Sequence, residues 1–282
     1  MNVILIYNAK AGSTLPKQEL RALFSRHDIR IIALIDAHEN LREHLRPYIR
    51  DRITVAVFGG DGTLSMVAAC LAGTEAILAP LPGGTLNHFT KDLHIPPDLE
   101  EAITHLKRAR VAHVDVGSIN GRSFINNVSI GLYPVSLIAR DRLERRIGKP
   151  LAVFIAACKA FFIFRLYTVT IGDEVFRTPF VFIGNNDYKI DHVGIAERQR
   201  LDEGVLSVLI AKTTSRWVLA KITFLLFLGK ASVLDEFDTR TVPSLTISMA
   251  KKTMHIACDG ELLVTNSPLR FKILPKALKV RK

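Results

Sequence analysis

The sequence predicts an α/β domain built on a parallel sheet over residues 1–112, followed by a mostly antiparallel β-sandwich over residues 113–282. Three observations carry this. In the first third, short apolar runs rich in β-branched residues alternate with segments of helical spacing, the pattern of βα units whose parallel sheet is covered on both faces. Three of the strand-to-helix junctions there carry glycine. Beyond Val111 the texture changes to short β-type runs separated by Gly and Asn turns, as in a sandwich.

Residues 2–7 read as the first strand; Gly12 breaks the run, and residues 16–27 place Leu20, Leu23 and Phe24 on one helical face. A strand at 29–35 and a helix at 39–49 follow. The third strand, 53–58, ends in Gly59-Gly60-Asp61-Gly62, and a helix at 64–72 leads to a strand at 76–81. In the second part, strands are expected at 114–119, 123–130, 167–171, 180–185, 205–211, 246–249, 253–258 and 269–273, with helical insertions at 151–164 and 216–228. No Pro/Gly/Ser linker marks the boundary, so the two domains are expected to pack closely. The edge strands of the sandwich offer a route to a homodimer.

The net charge of +11 favours anionic partners. Aromatic residues make up only 7% and do not interleave with basic ones, so the pattern does not favour nucleic acid. Cys70, Cys158 and Cys258 lie far apart without CxxC spacing, which suggests a reducing compartment and neither a zinc site nor a disulfide framework. The N-terminus reads as a strand rather than a signal peptide. The apolar stretches 151–166 and 217–228 are interrupted by Lys159, Arg165 and Lys221. They fall short of the roughly 20 residues that span a bilayer. They are either buried helices or shallow membrane contacts. The basic run 140–149 leads into the first of them, either as a solvated helix or as a dock on an anionic leaflet.

The chemistry concentrates in three loops: Asn8-Ala9-Lys10-Ala11-Gly12-Ser13, Gly59-Gly60-Asp61-Gly62-Thr63 and Pro82-Gly83-Gly84-Thr85-Leu86-Asn87. In a parallel sheet such loops share the carboxyl edge, where ligands bind. Glycine lets backbone N–H groups approach a phosphate, and the following helix N-termini favour an anion. Three loops in register, one with an acid and two with threonines, point to nucleotide phosphates. The pattern is neither a Walker loop nor the protein-kinase set.

Phe58-Gly59-Gly60-Asp61-Gly62-Thr63 with Pro82-Gly83-Gly84-Thr85-Leu86-Asn87-His88-Phe89 resembles the catalytic domain of the diacylglycerol kinase and sphingosine kinase superfamily, including its bacterial lipid kinases. The first motif is shared with NAD kinases and phosphofructokinases; the second separates the lipid kinases from them. Asn126-Asn127-Val128-Ser129-Ile130-Gly131, Gly184-Asn185-Asn186, Leu201-Asp202-Glu203-Gly204-Val205-Leu206 and Asp259-Gly260-Glu261 follow the family order, so the likeness covers nearly the whole chain.

The resemblance implies a phosphofructokinase-like lobe that holds ATP and Mg²⁺, and a sandwich that supplies the base. Asp259 matches the family's general base and Asp61 its nucleotide-loop aspartate. Asn8, Lys10, Gly12, Gly59, Gly60, Gly62, Thr63, Gly83, Gly84, Thr85, Asn87 and Glu261 are the expected nucleotide contacts. The 201–206 segment matches a loop that binds a structural Mg²⁺, with Glu203 where Asp is usual and Arg200 and Val205 offering carbonyls. His88 also departs, standing where many diacylglycerol kinases have Asp.

From the residues alone, Asp259-Gly260 is equally a hairpin turn, and Asp61 a cap for the helix beginning at Thr63. The expected function is transfer of phosphate from Mg-ATP to a lipid hydroxyl by a cytoplasmic protein docked on the inner face of an anionic membrane. The competing readings are a silent nucleotide- or lipid-binding regulator and a kinase acting on a soluble substrate such as NAD.

Overall fold

The protein is seen in a computed structural model that describes residues 1–8, 15–37, 40–49, 52–84, 87–131, 161, 164–188, 190–191, 194–195, 198–218, 221 and 236–282. The expected basic run 140–149 lies outside the described residues, as do most of the two helical insertions.

The first lobe runs β1 (Asn2–Tyr7), α1 (Lys17–Arg26), β2 (Arg30–Asp36), α2 (Leu41–Leu45), β3 (Thr54–Gly59), α3 (Asp61–Leu71), β4 (Ile77–Pro82), α4 (His88–Asp92) and α5 (Leu99–Arg108). Strands β2, β1, β3 and β4 pair in parallel in that order. Every residue of β3 and β4 is buried, as expected of strands covered on both faces. Helix α1 buries Leu20, Leu23 and Phe24, the face its spacing predicts. The expected 39–49 helix is shorter: α2 ends at Leu45, and residues 46–49 continue as turns. Helix α5 was not foreseen, although its signals are plain. Asp98 caps it, accepting the N–H groups of Glu100 (2.9 Å) and Glu101 (3.0 Å), and Ala102, Ile103 and Leu106 form its buried stripe.

The second lobe begins with β5 (Val111–Ile119), β6 (Arg122–Phe124) and β7 (Asn127–Gly131). It continues through β8 (Tyr167–Ile171), β9 (Glu174–Thr178), β10 (Phe180–Asn185), β11 (Ile190–Asp191), β12 (Gly194–Ile195) and β13 (Leu206–Ala211). It closes with β14 (Phe237–Val242), β15 (Ser244–Met249), β16 (Thr253–Cys258), β17 (Glu261–Asn266) and β18 (Leu269–Arg281). One layer is the antiparallel sheet β14-β13-β10-β7-β16-β17. The facing layer contains β18, β15, β8 and β9, with β5 beside β18 and β6 beside β5. The two layers interdigitate one apolar core, with Val128, Ile183, Val208 and Ile256 from the first and Phe124, Val169, Ile247 and Phe271 from the second.

Strand β18 joins the lobes. Its first half pairs with β15, and near its end Lys279 and Val280 pair in parallel with Ile77 and Leu78 of β4. The register against β5 shifts between Leu274 and Leu278. In that bulge Lys276 takes a positive φ, and its N–H reaches the buried carboxylate of Asp115 at 2.7 Å. The extension past residue 273 and strands β9, β14 and β17 were not read from the sequence. The expected 123–130 strand is two strands, broken at 125–126. Among the described residues, no helix is long and apolar enough to cross a membrane.

Candidate active site

The two double-glycine loops sit backbone against backbone at the carboxyl edge of β3 and β4. A Cβ on Gly83 would lie 2.6 Å from the Gly59 nitrogen, and one on Gly84 would lie 2.5 Å from the Gly60 Cα. Both approaches are below any real carbon contact, so neither position accepts a side chain. Asn87 takes a left-handed φ of 52° and folds the second loop over itself. Its Oδ1 accepts the Gly84 N–H (2.8 Å) and its Nδ2 donates to the Gly84 carbonyl (2.9 Å).

Asp61 locks the loops together. Its carboxylate accepts the N–H groups of His88 (3.2 Å) and Phe89 (3.1 Å), the opening residues of α4. It therefore caps α4 rather than its own helix, whose N-cap is Gly60. The His88 side chain is exposed. Thr63 is 4% exposed; its Oγ1 accepts from Asn8 Nδ2 at 3.2 Å, which ties the end of β1 to α3. Lys10, Gly12 and Thr85 lie outside the described residues.

Asp259 and Gly260 form the two-residue turn between β16 and β17, both with positive φ (48° and 84°). That is the geometry of a tight hairpin, so the turn reading holds for the backbone. The side chain does something else. It is buried on an anion nest made where β6 gives way to β7. Its Oδ2 accepts the Ile125 N–H (2.8 Å), and its Oδ1 accepts those of Asn126 (2.8 Å) and Asn127 (2.9 Å). The Ser65 hydroxyl of α3 also donates to Oδ2. Asp259 thus belongs to the sandwich and bonds to the helix that starts at the glycine loop. Burial pushes its carboxyl above the ordinary value, against the pull of Ser65 and the three N–H groups. Glu261 pairs with Arg122 at 3.1 Å and lies 3.8 Å from where a Cβ on Gly62 would be. Cys258 is buried, with its thiol pushed up by that burial, which suits packing.

Behind the nest lies a group that sequence reasoning missed. Arg198 is fully buried and spends all five donors. Two go to Asp92 of α4 (2.9 and 2.6 Å), and one each to the carbonyls of Ile125 (2.6 Å) and Asn185 (3.1 Å) and to Asn126 Oδ1 (2.9 Å). The Tyr188 ring lies 5.2 Å from the guanidinium, and its hydroxyl donates to the Asn126 carbonyl at 3.1 Å. No local signal marks an arginine as buried, because its five donors must be found from elements distant in sequence. Ser65 was also missed, although it follows the glycine motif by two positions.

The 200–205 turn is closed by hydrogen bonds. The Glu203 carboxylate accepts the Asp187 N–H (3.1 Å), and the Val205 carbonyl accepts that of Asn186 (2.9 Å). Arg200 pairs with Asp202 at 3.0 Å. Asp115 accepts the Gly204 N–H at 2.7 Å. A hard divalent cation needs several converging oxygens. Among the described residues no group of three or more acidic, His or Cys side chains is placed to hold a metal. The Glu203 carboxylate and the Val205 carbonyl each already accept one N–H, and the turn shows no formed cation site among the described residues.

Two family models match the chain. Residues 2–119 match the diacylglycerol kinase catalytic domain, and residues 128–282 match the YegS C-terminal NAD kinase beta sandwich-like domain. A diacylglycerol kinase of Staphylococcus saprophyticus is 25% identical over 269 residues, covering 91% of this chain and 88% of that protein. A Pseudomonas aeruginosa protein named "probable lipid kinase YegS-like" is 30% identical over 239 residues, covering 80% of this chain and 76% of the relative. The crystal structure of a diacylglycerol kinase from Bacillus anthracis str. Sterne shares the fold, with a TM-score of 0.69 at 20% identity over 99% of this chain and 96% of that one. With its glycine-loop lobe and its sandwich both matched, the chain belongs to the diacylglycerol kinase family and is a lipid kinase with an alcohol as phosphate acceptor.

Proposed function

We propose that the chain transfers the γ-phosphate of ATP to a hydroxyl of diacylglycerol or a related lipid at a membrane surface. The observation that carries this is the seating of Asp259, a buried carboxylate from the sandwich bonded to the helix that opens at Gly59-Gly60-Asp61-Gly62-Thr63. A lipid hydroxyl is a weak nucleophile. Phosphoryl transfer depends on positioning and charge neutralisation, with a carboxylate taking the hydroxyl proton. A base raised by burial is better matched to that task near neutral pH.

The glycine loops supply backbone N–H groups and helix N-termini for the phosphates. Mg²⁺ arriving with ATP neutralises phosphate charge. Asp61 is the residue suited to holding it through water, since among the described residues each of its oxygens accepts a single N–H and a carboxylate has about four acceptor sites.

The surface carries a feature suited to lipid. Trp217 is 73% exposed, meets the Phe161 ring edge-on at 4.7 Å, and is followed through that ring to the Arg216 guanidinium, 5.6 Å away. Amphipathic aromatics beside a cation are the pattern of membrane–water interfaces. Trp217 is the single tryptophan of the chain, so it reports on its own environment. Phosphatidylglycerol vesicles are expected to shift its emission to the blue, and high salt to reverse the shift. Vesicles that leave the emission unchanged would place the membrane contact elsewhere.

The direct test is transfer of labelled phosphate from Mg-ATP to a panel of lipids in mixed micelles, with NAD as a soluble acceptor in parallel. Labelled lipid supports the reading. Labelled NAD alone would favour the soluble-substrate alternative, which the NAD kinase-like description of the second domain keeps in view. ATP binding without any transfer would favour a regulator.

A further inference from the structure

Asp259 is the base of the proposed reaction, yet its carboxylate has no acceptor site left for a substrate. A carboxylate offers about four such sites. Two N–H groups occupy Oδ1, and one N–H group and the Ser65 hydroxyl occupy Oδ2. The three N–H donors belong to consecutive residues, 125–127, and cannot withdraw without unmaking the turn between β6 and β7. Backbone amide N–H groups are also donors only and cannot take up a proton during turnover. Ser65 differs from them, because a hydroxyl donates one hydrogen bond and accepts two. Among the described residues it is the only donor on Asp259 that can take a proton while giving one.

The placement of Ser65 fits such a role. It stands four residues after Asp61 on α3, so the two share a face of the helix about 6 Å apart along its axis. Asp61 sits at the junction of the two glycine loops, where the phosphates are expected. Ser65 therefore lies between that junction and the base, and it is buried to 9% exposure, away from bulk solvent.

We infer that Ser65 is a catalytic residue that relays the proton, accepting it from the lipid hydroxyl on Oγ while passing its own to Asp259 Oδ2. The lipid oxygen forms its bond to the γ-phosphorus as the bond from that phosphorus to the bridging oxygen breaks, and ADP leaves. The lipid proton ends on Ser65 and the former Ser65 proton on Asp259, which returns it to solvent once products depart. No further reactant is needed. The inference rests on the kinase reading above.

Ser65→Ala separates the relay from direct catalysis, because the two predict opposite results. Removing the hydroxyl frees one acceptor site on Asp259. If Asp259 works directly, turnover is kept or raised. If Ser65 relays, single-turnover transfer to lipid falls about 100-fold, the scale of proton-transfer assistance, with ATP affinity unchanged and the protein still folded. Ser65→Thr, which keeps the hydroxyl, should retain most of the rate. The parent should also show a curved proton inventory in H₂O/D₂O mixtures, two protons being in flight, and the Ser65→Ala residual a linear one. Parent-like transfer by Ser65→Ala overturns the relay. So does an equal loss in both variants with a linear parent inventory, which marks a packing role. A parent that binds ATP and phosphorylates no lipid sinks the kinase reading, and the relay falls with it.

Discussion

Asp259→Asn is expected to abolish lipid phosphorylation and to leave a folded but less stable protein. The amide oxygen can still accept the Asn126 and Asn127 N–H groups. The amide nitrogen then faces the Ile125 N–H, a donor against a donor, while Ser65 can turn to accept from it. One buried N–H is left unpaired, which costs about 1–3 kcal/mol. Turnover falls by at least the roughly 10²–10⁴-fold of general-base assistance.

The pH dependence follows from the same burial. As the proposed base Asp259 must be ionised to act, and its carboxyl is raised above the ordinary value. Activity should therefore fade, as pH falls, at a higher pH than an exposed aspartate would give. The stability linkage has the opposite sign. Between its unfolded and folded values Asp259 binds more protons when folded, so its contribution to stability declines as pH rises through that window. Arg198, Tyr188 and Cys258 are the other titratable groups that feel its charge. Asp259→Asn should flatten both profiles, as read by single-turnover rates and thermal melts across pH. A variant that turns over at the parent rate would remove Asp259 from the chemistry.

Much of the first lobe was legible because a parallel sheet is written as apolar runs, and β3 and β4 are buried along their whole lengths. The glycines were legible as a motif. What they do was not. That Gly83 and Gly84 exist to let one loop lie on the backbone of the other depends on the register of β3 with β4, which pairs Gly59 with Pro82. Asp61 showed the same limit. Its cap reading was sound in kind but assigned to the wrong helix, because the N–H groups it satisfies lie 27 and 28 residues away. The polar edge strands β9, β14 and β17 escaped because their alternation is weak. β17 leaves Leu262 and Val264 exposed, against the usual pattern of apolar residues inside. Asp259-Gly260 was read both as a turn and as a catalytic feature; a left-handed backbone and a buried carboxylate at one residue make the two compatible.

Arg198→Met is expected to destabilise the protein by about 3–5 kcal/mol, since it strands the buried Asp92 carboxylate without its charge partner. At roughly 2–4 °C per kcal/mol in a chain of this size, the melting midpoint should fall by on the order of 10 °C. Arg198→Lys should recover little, because a point charge with three donors cannot reproduce five bonds in a fixed fork. The informative variant pairs Arg198→Met with Asp92→Leu. Replacing a buried ion pair by apolar residues is often neutral for stability, so the double variant should melt well above Arg198→Met, short of the parent by the cost of the Asn126 oxygen left unpaired, about 1–3 kcal/mol. It should nevertheless turn over slowly. Arg198 also holds the Ile125 carbonyl and the Asn126 side chain, and the N–H groups of those residues seat the Asp259 carboxylate. Without the guanidinium the nest loses its anchor to α4, and the base loses its alignment with the glycine loops. The expected signature is a lowered kcat with KM for ATP little changed. A double variant with parent kcat would show that the pair serves packing between the lobes and leaves the positioning of Asp259 to its own three N–H bonds.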